Sequence, residues 1–79
     1  MSSMRREKLK EYEILSKRLF ELRTSYNYTQ LDVAAKLAIT YQSYQAYELG
    51  VSVPSLQNII KLADLYEVSI DFLLGRSDL

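Results

Sequence analysis

The chain has 79 residues, no cysteine, no histidine, and ten basic side chains balanced by ten acidic ones. This composition excludes disulfides, thiolate and imidazole metal sites, and polyanion binding driven by bulk charge alone. It also removes the commonest general base, and the length limits the chain to one domain with a small core.

No apolar run approaches the roughly 18 residues of a transmembrane helix. The opening stretch, MSSMRREKLKEYE, is charged and lacks the apolar region of a signal peptide. A cytoplasmic protein without membrane contact is therefore expected. No acidic cluster suggests a carboxylate metal site, and no cofactor or small-molecule substrate is expected. Charge is uneven along the chain: residues 1–40 carry eight basic and five acidic side chains, residues 41–79 two and five. That asymmetry can orient the molecule in a field.

In chain order, Leu15, Leu19, Leu22 and Tyr26 follow steps of four, three and four, one face of a helix. Leu9 and Tyr12 extend this face backwards, placing the helix start near residue 4. The polar stretch Ser25-Tyr26-Asn27 ends it. Thr29 is an N-cap for a second helix, Gln30 to Leu37, with Asp32 approximating a capping box. That helix buries Leu31 or Val33, together with Ala34 and Leu37. After the link Ala38-Ile39-Thr40, Thr40 caps a third helix, Tyr41 to Leu49, and Gly50 sits where a C-terminal glycine belongs. Pro54 is tolerated in a first helical turn. Leu56, Ile59, Ile60, Ala63 and Tyr66 read as the apolar stripe of a fourth helix. Ser69 caps a short fifth one, Ile70 to Leu74, closed by Gly75. Two glycines and one proline are few for a β-rich fold, so the class is all-α.

The third helix, TYQSYQAYELG with its capping residues, carries a tyrosine at every third position. At about 100° per residue, Tyr44 and Tyr47 share one side, while Tyr41, Gln42, Gln45 and Ala46 share the other. The tyrosines of the first side should pack inward. The second side is flat and rich in amides. Glutamine can pair with the N6 and N7 edge of adenine in a major groove, and the methyl of an alanine can touch that of thymine. A helix following a tight turn from another short helix is what a helix-turn-helix presents to DNA. Two solvated glutamines with no partner are the alternative that the helix alone leaves open.

The order of the motifs extends this reading. Residues 18–75 resemble the Cro/CI-type (Xre-like) helix-turn-helix family of phage repressors and bacterial regulators. The resemblance rests on L-x-x-L-R (Leu19 to Arg23), T-Q-x-x-V-A-x-x-L (Thr29 to Leu37) and Y-E-x-G-x-x-x-P-S (Tyr47 to Ser55). L-x-x-I-x-K-L-A (Leu56 to Ala63) and V-S-x-D-x-L-L-G (Val68 to Gly75) complete it. It implies a five-helix lambda-repressor-like domain over residues 15–79, its first helix extended by residues 1–14. It further implies that Gln30 holds a DNA phosphate and braces the recognition helix. Thr40, Tyr41, Gln42 and Ser43 match the positions where base and phosphate contacts concentrate, and Gln45 and Ala46 face the groove one turn later. Arg23 and Glu48 match a buried ion pair. Tyr44 occupies a position usually held by isoleucine or valine, so its hydroxyl needs a partner or a route to solvent. The sequence departs from the family in the loop Leu49 to Val53, which lacks the usual cations, and at Ala38, where relatives often have glycine.

Few cations are available to meet phosphates: Lys36, Arg18 and Lys17, helped by hydroxyls and backbone N–H groups. Affinity per protomer should be modest, so a homodimer on an inverted repeat of double-stranded DNA is expected. Ile70, Phe72, Leu73 and Leu74 are the candidate dimer interface, with burial in the core as the alternative. Residues 1–14 read as a solvated helical extension, a basic arm on the DNA backbone, or a partner surface using Leu9 and Tyr12. The expected function is a sequence-specific transcriptional regulator, most simply a repressor, and not an enzyme. An antitoxin or a protein-interaction module with weak or no DNA binding is the rival.

Overall fold

The structure, a computed structural model, describes residues 9–78. Within them the chain forms five helices and no strand: α1 (Lys10–Ser25), α2 (Gln30–Leu37), α3 (Tyr41–Leu49), α4 (Leu56–Tyr66) and α5 (Ile70–Leu73). Leu9 is extended, so α1 begins at Lys10. The expected start near residue 4 lies outside the described residues. No described helix is long and apolar enough to cross a membrane.

Side-chain caps open four of the helices. Thr29, Thr40, Ser55 and Ser69 each accept the N–H of the residue three further on. Each thereby satisfies a backbone donor that the first helical turn leaves unpaired. At α2 the box is complete, because Asp32 also accepts the N–H of Thr29 at 2.8 Å. That bond, and the Thr29 hydroxyl, hold the Asp32 carboxyl below its ordinary pKa. Pro54 lies outside the helix rather than in its first turn; it is buried just before the cap Ser55.

All five helices close the same way. Asn27, Ala38, Gly50, Glu67 and Gly75 have φ of 60°, 58°, 75°, 56° and 76°. In each case the following residue returns its N–H to the carbonyl five positions back, as Ile39 does to Ala34 at 3.0 Å and Arg76 to Asp71 at 2.8 Å. This is the Schellman arrangement, which satisfies the last carbonyls and turns the chain sharply. Ala38 therefore supplies the turn between α2 and α3 in a left-handed conformation that disfavours a Cβ. At Gly75 a side chain would also collide, since an added Cβ would lie 2.6 Å from Cδ1 of Ile14.

The core draws on every helix: Leu15 and Leu19, Val33, Ala34 and Leu37, Tyr44 and Tyr47, Ile59, Leu62, Ala63 and Tyr66, and Leu73. One detail decides between alternatives that the sequence left open, on α2, and two differ from the sequence expectation, on α4 and α5. On α2, Val33 is buried and Leu31 is exposed. On α4, Leu56 and Ile60 face outward, and Leu62 fills the core beside Ile59, Ala63 and Tyr66. That helix is apolar on two sides, and its packing against α2 and α5 chooses between them. On α5, Leu73 is fully enclosed and offers no surface to a partner, whereas Ile70 and Leu74 are partly buried against the core.

α5 is fastened to α1. Arg18 Nη1 donates to the Phe72 carbonyl at 2.5 Å, and its guanidinium lies 4.1 Å from the centre of the Phe72 ring. Arg18 is thus occupied at the α1–α5 junction rather than free to meet phosphate. Tyr66 packs edge-on to Tyr26 at 5.1 Å, and the Tyr26 hydroxyl donates to the Tyr66 carbonyl at 3.1 Å. The Tyr66 hydroxyl itself is buried with no hydrogen-bond partner among the described residues.

Candidate nucleic-acid interface

After the turn at Ala38, α3 packs against α2 and keeps one face in solvent. Thr40 anchors the start of α3: its Oγ accepts the Ser43 N–H at 3.0 Å, and its hydroxyl meets the Ser43 hydroxyl at 2.9 Å. Thr40, Tyr41, Gln42 and Ser43 are all exposed, and Gln45 and Ala46 are half-buried one turn later. Gln45 Nε2 donates to the Tyr41 hydroxyl at 3.3 Å. The structure brings these six residues onto one end and one side of α3. They offer hydroxyl and amide donors, amide acceptors and one methyl, which are the groups that read base edges.

The opposite side of α3 is inside. Tyr44 is fully buried and stacks edge-on against Tyr47, with ring centres 5.9 Å apart. The Tyr47 hydroxyl accepts from Asn58 Nδ2 of α4 at 3.1 Å.

A single carboxylate ties α3 to the scaffold. Arg23 Nε donates to Glu48 Oε2 at 2.6 Å and Arg23 Nη2 to Glu48 Oε1 at 3.0 Å, a two-pronged pair. Gln30 Nε2 donates to Glu48 Oε1 at 3.0 Å, and the Tyr44 hydroxyl to Glu48 Oε2 at 2.5 Å. Arg23 Nη1 completes the network on the Tyr28 carbonyl at 3.0 Å. Glu48 therefore joins α1, α2 and α3 at one point, and it supplies the partner that a buried tyrosine at position 44 requires. Its side chain is only 6% exposed and that of Arg23 11%.

The electrostatics follow from that geometry. Burial by itself would push the Glu48 carboxyl up, but the bonds from Arg23, Tyr44 and Gln30 outweigh it, and its pKa lies below the ordinary value. The bond to Glu48 raises Arg23 further, so the pair stays ionised. Burial, and then the hydrogen bond to Glu48 and its negative charge, push the Tyr44 hydroxyl far above its usual range, so it remains a donor.

Gln30 meets this network with its amide nitrogen, the bracing half of its expected role. Lys36 stands elsewhere on α2, with its ammonium 4.9 Å from the centre of the Tyr28 ring, on a shallow surface shared with Asp32. Two contacts were not spelled out in the sequence: Glu48 as the partner of the bracing Gln30, and the bond between Gln45 and Tyr41. The second carries a usable signal, because residues four apart on a helix are neighbours. No group of His, Cys, Asp or Glu among the described residues could hold a metal.

Residues 19–73 match the helix-turn-helix family. The chain is 40% identical over 62 residues to the cryptic phage CTXphi transcriptional repressor RstR of Vibrio cholerae, covering 78% of this chain and 55% of that protein. It is 41% identical over 64 residues to the HTH-type transcriptional regulator ImmR of Bacillus subtilis, covering 81% and 50%. With the SPbeta prophage-derived uncharacterized HTH-type transcriptional regulator YonR of Bacillus subtilis it shares 43% over 61 residues, covering 77% and 56%. The chain spans about half the length of these curated relatives. No solved structure matches it. With its two capped helices joined by the Ala38 turn and its exposed third helix braced from behind, the chain belongs to the helix-turn-helix family.

Proposed function

We propose that this domain reads double-stranded DNA in a sequence-specific way and serves a transcriptional regulator, most simply a repressor. It works in the cytoplasm, as a homodimer on an inverted repeat. It is a binding domain and not an enzyme. The observation that carries this reading is the two-sided α3. Its outer side presents Tyr41, Gln42, Ser43, Gln45 and Ala46, and its inner side is fixed by Tyr44, Tyr47 and Glu48. A helix held this firmly can present amides to base edges in a defined register. The likeness to a phage repressor and to bacterial regulators supports the same reading.

In this reading α3 enters the major groove from its N-terminal end. Gln42 and Gln45 select adenine by paired hydrogen bonds, and Ala46 touches a thymine methyl. Thr40 and Ser43 donate to phosphate, and Gln30 holds the backbone beside them while bracing Glu48. Bound in this position, the dimer excludes other proteins from the same stretch of DNA.

The test is selection from a pool of random duplexes, at low salt and again near physiological salt. Enrichment of a short inverted repeat that is lost with Gln42→Ala supports the proposal. Folded protein that enriches nothing at either salt overturns it and favours a protein-interaction module on the same fold.

A further inference from the structure

The outer side of α3 carries two glutamines in different states. Gln42 is exposed and has no hydrogen-bond partner among the described residues. Gln45 is half-buried, and its Nε2 donates to the Tyr41 hydroxyl at 3.3 Å. Tyr41 lies four residues back, so the two side chains are neighbours on one face of the helix. Tyr41 also lines a cleft with Thr29, Gln30 and Leu31, at the junction of α2 and α3. The holder of the Gln45 amide is thus itself seated against the scaffold. A tyrosine has few rotatable bonds, which makes it a stiff support.

The consequence is chemical. A free amide carries an acceptor at one end and two donors at the other. Rotation about its last torsion exchanges the two ends, so a free glutamine can turn to suit the base it meets. Gln45 cannot turn without losing its bond to Tyr41. With one Nε2 hydrogen engaged there, it keeps one acceptor, Oε1, and one donor, the second N–H. That pair complements the N6 donor and N7 acceptor of adenine. Guanine presents two acceptors, O6 and N7, and calls for two donors. The bond is long in the free protein, and expulsion of water from a closed groove strengthens it. An amide already held also has less rotamer freedom left to lose on binding.

We infer that Tyr41 is a positioning residue for Gln45: its hydroxyl holds the amide in the orientation that accepts adenine and rejects guanine. The inference rests on the DNA-reading function proposed above and assigns the source of its selectivity at one base pair. Gln42, which has no such holder, serves as the internal control.

The experiment starts from the inverted repeat selected with the native chain. Gln45→Ala and Gln42→Ala identify the base pair that each glutamine reads, by the preference each variant loses. Affinities are then compared for adenine and guanine at both pairs, with the native chain and with Tyr41→Phe. Phenylalanine keeps the ring and a similar helix propensity, so helicity and melting should be unchanged. The native chain should favour adenine at the Gln45 pair by about tenfold or more. Tyr41→Phe should lose most of that ratio and leave the ratio at the Gln42 pair as it was. In the Gln45→Ala background, adding Tyr41→Phe should alter discrimination no further.

Uniform loss of affinity for every sequence in Tyr41→Phe would mean that the hydroxyl only touches phosphate, and overturns the positioning role. The role is also overturned if both ratios fall together, if neither moves, if the native chain favours guanine at the Gln45 pair, or if Gln45→Ala leaves every preference in place. In all of these cases the reading of DNA by α3 still stands. A folded native chain that enriches no sequence overturns that reading and this inference together.

Discussion

Glu48 receives hydrogen bonds from three side chains drawn from α1, α2 and α3. Glu48→Ala leaves a buried guanidinium and a buried phenol without their partner. The expected loss is about 3–5 kcal/mol of stability, measured by urea unfolding. The pH dependence has a definite sign. The folded carboxyl has a lowered pKa, so its contribution is fully present above the unfolded value of about 4.3. It is lost as pH falls through the folded value below that. Stability should therefore hold from neutral pH to about 5 and drop on further acidification, more steeply in the native chain than in Glu48→Gln. Tyr66 presents the opposite case. Its hydroxyl is buried without a partner among the described residues, and burial pushes its pKa up. Tyr66→Phe keeps the ring against Tyr26 and removes the desolvated group. Melting should show no loss, or a gain of up to about 1 kcal/mol; a large loss would mean that the hydroxyl is bonded in solution. The sequence alone marked Arg23, Glu48 and the need of Tyr44 for a partner, because they fall on motif positions. It placed Tyr66 on the apolar stripe of α4 but was silent on its hydroxyl, because its neighbours Tyr26 and Tyr28 come together with it only in the folded chain.

The helices were legible where their signals are local. Thr29, Thr40 and Ser69 announce helix starts because a cap acts over three residues. The starts and ends of α2 and α3 can be read from the chain for that reason. Faces were harder. On α4 the pattern Leu56, Ile59, Ile60, Leu62, Ala63 supports two stripes, and only packing against α2 and α5 selects the one through Leu62. Helix ends were read at Leu37, at Gly50 and Gly75, where glycine marks them, and before Asn27, where polar residues cluster. The same turn at Ala38 and Glu67 has no such marker. These turns give a paired prediction. Ala38→Gly relieves a left-handed alanine and should stabilise by about 0.5–1 kcal/mol. Gly75→Ala introduces both a disfavoured φ and a contact with Ile14 at 2.6 Å. It should cost more than Ala38→Gly returns, about 2 kcal/mol or above. Thermal melts of the two variants check both signs, and a destabilised Ala38→Gly would refute the strain at the α2–α3 turn.

For the molecule as a whole, neutrality shapes how DNA would be held. Arg18 is taken up at the α1–α5 junction and Arg23 in the Glu48 network, which leaves Lys17 and Lys36 as the cations expected to approach phosphate. With two such contacts per protomer, log affinity against log salt should have a slope of about −4 for the proposed dimer. A slope near twice that, in a filter-binding series, would show that other cations take part. The weight then shifts from charge to fit, and the Glu48 network bears on fit directly. Since α3 is locked to α1 and α2 before any partner arrives, a dimer of the kind proposed would have little freedom to adjust its α3 helices to a poor site. The mismatch must be absorbed by the duplex. Base pairs between the two half-sites, untouched by any side chain, would then influence binding through how readily they bend and twist. Operators that differ only in this untouched centre should rank by the stiffness of their DNA.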